Sequence, residues 1–69
     1  MSTFPERLRS LREARGLPCA TLSELCGLCP QQVGRYESGR QCPSLAAALA
    51  LADYFGVSLD YLVGRADDR

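Results

Sequence analysis

Sixty-nine residues, 46% hydrophobic and 23% charged, with eight arginines balanced by eight acidic side chains, describe a single small globular domain of zero formal net charge. A chain this short buries only about 60% of the surface its unfolded form exposes, which leaves no room for a second core. No apolar run nears the roughly 18 residues that span a bilayer, no charged-then-apolar leader opens the chain, and zero net charge argues against a generic polyanion binder, so a soluble, cytoplasmic protein without a membrane partner is expected.

The charge is unevenly spread. Residues 1–40 hold six of the arginines against four glutamates, and residues 41–69 hold two arginines against four aspartates. Every basic residue is arginine, which suits bidentate contacts to phosphates or bases; a codon bias accounts for it equally well.

Thr3 and Glu6 have the reciprocal capping-box spacing, Pro5 suits a first turn, and Phe4, Leu8 and Leu11 repeat at four and three residues. They predict a helix over about residues 4–15, stopped by Gly16. Leu22 and Leu25 lie in a second, short helix over about residues 19–26, closed by Gly27. After a tight connection, Cys29 in an N-cap slot and Pro30 at the first helical position start a third helix running to about Glu37, with Gly39 as its stop. Gly34 inside it is unfavourable.

Ser44 caps an alanine-rich fourth helix whose apolar face is Leu45, Ala48, Leu51, Ala52 and Phe55, ended by Gly56. Ser58 caps a last helix over about residues 59–63, in which Leu59 and Leu62 face inward. The compact part covers about residues 4–64, and a polar tail is expected to fray. Nothing alternates with period two, so the fold class is all-α, a five-helix globule in one domain.

Two helices joined by a glycine-containing turn, here Gly27-Leu28-Cys29, form a helix-turn-helix, whose second helix can enter a DNA major groove. With Leu22, Leu25, Leu28, Val33 and Tyr36 inside, Gln31, Gln32 and Arg35 are left outside. A glutamine carbonyl accepts from adenine N6 while its amide donates to N7, and arginine pairs with guanine O6 and N7. The same Gln-Gln-x-x-Arg surface is equally consistent with a solvated helix face.

The segments "ERLRSLREARGL", "TLSELCGL", "VGRYESGRQCPSL" and "LALADYFGVSLDYLVG", in this order and spacing, resemble the Cro/cI-like helix-turn-helix family of phage repressors and small bacterial regulators, also called the XRE family. The resemblance covers residues 4–64. It implies a lambda-repressor-like DNA-binding domain, a transcriptional regulator of repressor type, acting as a homodimer on a palindromic operator in double-stranded DNA. It implies base contacts by Gln31, Gln32 and Arg35. Phosphate contacts fall to Arg40 and Gln41 in the following loop, to Arg12 or Arg15 near the end of the first helix, and to Cys19. This sequence departs from the family in having Pro18-Cys19 where Ser-Gln usually opens the second helix, and Cys29-Pro30 where a serine or threonine cap is usual.

A dimer contact is expected from Tyr54, Tyr61 and Val63, read as an outward apolar cluster in the C-terminal region that often forms the family's two-fold contact; the two tyrosines could instead lie flat on their own helices. The cysteines at 19, 26, 29 and 42 include a Cys26-x-x-Cys29 spacing known from metal and redox sites. The resemblance puts Cys26 at a partly buried position and Cys19 near the DNA-facing surface, so that, with no histidine in the chain, no metal is expected. A thiol switch is the alternative, since Cys19 and Cys29 open neighbouring helices and helix N-termini lower a thiol pKa. No cofactor or small-molecule ligand is indicated. With no histidine or lysine to act as a base, an enzyme is not expected. The rival to a DNA-binding regulator is a protein-interaction module, such as an antitoxin or accessory factor.

Overall fold

The computed structural model describes residues 3–67. Five helices follow one another, α1 (Phe4–Ala14), α2 (Cys19–Leu25), α3 (Gln32–Glu37), α4 (Leu45–Phe55) and α5 (Leu59–Leu62). No strand occurs among the described residues. α3 packs on α1 and α2, and α5 packs on α4 and α1.

Local chemistry sets most boundaries. The Glu6 carboxylate accepts from the Thr3 hydroxyl at 3.0 Å. Ser44 Oγ accepts from the Ala47 N–H at 3.1 Å, and Ser58 Oγ from the Tyr61 N–H at 3.0 Å. α2 ends in a Schellman motif. Leu28 N–H donates to Ser23 O at 2.8 Å and Gly27 N–H to Glu24 O at 3.1 Å, with Gly27 at φ 74. A side chain at that φ would be strained, so glycine is required for so short a turn.

α3 begins later than the Cys29-Pro30 signal predicts. Residues 30 and 31 form a turn, and Gln31 is the N-cap. Cys29 has no hydroxyl with which to cap, and its own N–H is instead taken by Gln32 Oε1 at 2.7 Å.

The core is Leu8, Leu11, Leu22, Val33, Tyr36, Leu51, Phe55 and Leu62, with alanines of α4 filling between them. Leu25 is 55% exposed and does not face it. The inward stripe of α2 is Cys19, Leu22, Ser23 and Cys26, at i, i+3, i+4 and i+7, and Leu25 stands about 200° around the helix from Ser23. Leu45, in the first turn of α4, is likewise exposed at 68% rather than part of the apolar face, and Leu59 is only half-buried.

The C-terminal segment is fastened rather than frayed as far as Asp67. Arg7 is 7% exposed. Its Nη1 donates to Tyr61 O at 3.0 Å and to Ala66 O, its Nη2 pairs with Asp67 Oδ1 at 2.9 Å, and its guanidinium lies 4.3 Å from the Tyr61 ring centroid. The remainder of the expected frayed tail, residues 68 and 69, lies outside the described residues.

Candidate functional site

α3 is held from three directions. On its inner side Val33 and Tyr36 are buried, and the Tyr36 ring stands 5.9 Å from that of Phe4. In its first turn the Val33 N–H, one of the amides every helix start leaves without a partner, donates to Ser23 Oγ at 3.1 Å, and that hydroxyl donates to Cys19 O at 2.9 Å. Ser23 has no exposed surface. The cap that the residues before α3 fail to supply therefore comes from α2, ten residues earlier. Ser23→Ala leaves a buried donor unpaired and is expected to cost about 1–3 kcal/mol, read as a lower urea midpoint at unchanged slope; an unmoved midpoint would mean that water satisfies the amide.

In its last turn Glu37 forms a two-pronged ion pair with Arg12, Oε2 to Nε at 2.6 Å and Oε1 to Nη2 at 3.0 Å. Arg12 Nη1 also donates to Leu17 O at 2.8 Å, and the Cys19 thiol lies 3.8 Å from Glu37 Oε2. The hydrogen bonds that Arg12 donates to Glu37 hold the Arg12 pKa above the ordinary arginine value, against the opposing effect of burial. Burial, and then the charge of Glu37, push the Cys19 thiol up. Burial raises Cys26 as well.

The outer side of α3 borders an open groove of about 590 Å³ between α2 and α3. Gln31, Arg35, Arg40 and Cys19 line it, as do Ala20, Pro30 and Gly34. Gln31 and Arg35 are exposed. They are four residues apart, a little over one helical turn, which is a rise of about 6 Å. Against a rise of about 3.4 Å per base pair, that spacing matches groups one or two steps apart along a duplex. Gly34, between them, costs the helix up to ~1 kcal/mol relative to alanine.

Other expected site residues are placed elsewhere. Gln32 is half-buried, and beyond accepting from Cys29 its Nε2 donates to Tyr36 Oη at 3.2 Å, so its amide braces the start of α3 instead of facing outward. Arg12 is enclosed in the Glu37 pair with 15% of its side chain exposed, which removes it from the outer surface. Arg15 turns toward the end of α4, with Nη2 3.4 Å from Phe55 O and its guanidinium 5.6 Å and 5.3 Å from the Tyr54 and Phe55 ring centroids. Gln41 is exposed but does not line the groove.

Tyr54, Tyr61 and Val63 do not form an outward apolar cluster. All three are half-buried, and Arg7 of α1 and Arg15 at its C-cap cover faces of the Tyr61 and Tyr54 rings. Among the described residues, the large hydrophobic side chains that are exposed are Leu25, Leu45 and Leu49. The four cysteines are free thiols. Among the described residues no three cysteine or carboxylate side chains converge as a metal site, and no helix is long and apolar enough to cross a membrane.

A helix-turn-helix domain model matches residues 4–62. The uncharacterized HTH-type transcriptional regulator YobD of Bacillus subtilis (strain 168) is 38% identical over 65 residues, covering 94% of this chain and 58% of the relative. The chain spans little more than half the length of the curated relatives it matches. Among solved structures, the restriction-modification controller protein C.AhdI from Aeromonas hydrophila superposes with a TM-score of 0.78 at 41% identity, over 86% of this chain and 89% of that one. The P22 c2 repressor, in complex with a synthetic operator, superposes with a TM-score of 0.87 over 96% of this chain and all of that one, and at 24% identity this likeness shows the fold alone.

Proposed function

The chain belongs to the helix-turn-helix domain family, of the Cro/cI type, and from that premise we propose that it is a sequence-specific DNA-binding transcriptional regulator that lays α3 in the major groove. The observation that carries this reading is the division of α3 into two sides. Val33 and Tyr36 bolt one side to the core, and Gln31 and Arg35 stand on the other along the groove. Gln31 then reads adenine and Arg35 guanine. Arg40 and Cys19 at the groove, with Gln41 in the loop beside it, contact the phosphate backbone. Gln32, Arg12 and Arg15 act indirectly, by holding α3 and α1 in place.

Two copies bind one palindromic operator as a homodimer of repressor type, because a domain of this size reads only about half a site. The exposed parts of Tyr54, Tyr61 and Val63 are the proposed two-fold contact. Zero net charge limits non-specific attraction to DNA, so base reading carries a large share of the affinity.

Selection of bound duplexes from a random pool, at fixed salt, tests the proposal. A palindromic motif is expected, with half-sites about 34 Å apart. On it, Arg35→Ala and Gln31→Ala each cost ~1–3 kcal/mol and relax the base preference, whereas Arg40→Ala weakens all duplexes alike and reduces the salt slope by about one. Equal, sequence-independent losses for all three variants would remove the base-reading role of α3. Failure to enrich any motif would favour the protein-interaction module, a reading that the zero net charge and the exposed Leu25, Leu45 and Leu49 support.

A further inference from the structure

We infer that Gly34 is a specificity-determining residue, a notch in α3 that admits the 5-methyl group of a thymine between the base pairs met by Gln31 and Arg35. The inference rests on the reading of α3 as the DNA-contacting helix. Of the six glycines, Gly16, Gly27, Gly39, Gly56 and Gly64 have φ between 65 and 87, so each has a backbone reason to lack a side chain. Gly34 has none. It lies inside a helix without positive φ, where glycine is disfavoured, and a methyl group built on it meets no neighbouring part of the protein within 4 Å. Alanine would therefore fit the free protein and strengthen the helix, and what alanine would obstruct lies outside the chain.

The position identifies that group chemically. Gly34 sits in the groove wall with hydrogen-bonding side chains on either side of it, Gln31 and Arg35, while Ala20 and Pro30 add apolar surface nearby. Of the base edges a major groove presents, the one apolar feature is the C5 methyl of thymine; the rest are hydrogen-bond donors and acceptors. A bare stretch of helix backbone flanked by a glutamine and an arginine suits that methyl and leaves the polar edges to its neighbours.

The test uses the intact chain and the duplex that the selection returns. Gly34→Ala is expected to raise the melting temperature by about 4–8 °C and to weaken binding to that duplex by about fivefold to a hundredfold through overpacking. Replacing the critical thymine of each half-site by deoxyuridine, which removes only the methyl, is expected to weaken wild-type binding about fourfold per half-site, the worth of one buried methyl. The same replacement should relieve Gly34→Ala, whose affinity rises toward that of the wild type on the deoxyuridine duplex, so that the two losses do not add. Unchanged affinity of Gly34→Ala, or wild-type indifference to deoxyuridine at every thymine of the half-site, overturns the inference. If Arg35→Ala still relaxes base preference in that case, α3 keeps its reading role and only the notch is lost. A pool in which the wild type enriches no duplex removes both.

Discussion

Replacing Glu37 by glutamine is expected to lower the stability of the folded domain by about 3–5 kcal/mol, the cost of removing one member of an enclosed ion pair. The glutamine keeps the shape of the side chain but turns an acceptor into a donor in front of Arg12, whose Nε and Nη2 both bond Glu37 in the native protein. Only 15% of the Arg12 side chain and 10% of the Glu37 side chain are exposed, so water offers the orphaned guanidinium little compensation. A domain of this length has a total stability of roughly 3–10 kcal/mol, which makes this one exchange sufficient to unfold much of the population. Urea denaturation at neutral pH checks it, and replacing both partners by apolar residues of similar volume should be milder than removing either alone. A midpoint within error of wild type would mean that the pair is a solvent-screened surface contact.

Tyr36→Ala is expected to cost a further large amount on its own, about 3–5 kcal/mol, because an aromatic side chain with 1% exposure leaves a cavity that short helices cannot close around. Tyr36→Phe separates packing from polarity. It keeps the ring against Phe4 and removes only the hydroxyl that accepts from Gln32 Nε2, so a loss near 0.5–1.5 kcal/mol is expected. Thermal melts of the two variants should differ accordingly. If Tyr36→Phe proved as damaging as Tyr36→Ala, the Gln32–Tyr36 hydrogen bond, and not the ring, would be what fixes α3.

Signals that act within a few residues were legible in the sequence. Thr3 with Glu6, Ser44, Ser58 and the helix-ending glycines follow rules of spacing, and each places a helix end within about two residues of its position in the fold. The core positions Leu8, Leu11, Val33, Tyr36 and Leu51 followed from periodicity. Leu25 and Leu45 did not, because periodicity gives the spacing of a stripe but not its centre, and on α2 the centre runs through a serine and two cysteines. Ser23 capping α3 and Arg12 pairing with Glu37 join residues 10 and 25 positions apart, and no local pattern encodes such meetings. Gln31 and Gln32 are chemically identical neighbours. Only the roughly 100° between successive helix positions decides that one faces the groove and the other turns back to Cys29 and Tyr36.

The Arg7 fastening has a consequence during synthesis. Arg7 belongs to α1, which leaves the ribosome ahead of the other four helices, yet its partners lie 54 to 60 residues later, at Tyr61, Ala66 and Asp67. Until those residues emerge, a guanidinium destined for a nearly dry site stays in water and α1 lacks the segment that closes over it. Partial pairing of α1 with α2 and α3 can begin on the nascent chain, but the closure with the greatest loop entropy waits for the end of the domain. The domain therefore completes its fold late, with its first helix and the segment after α5 becoming native together.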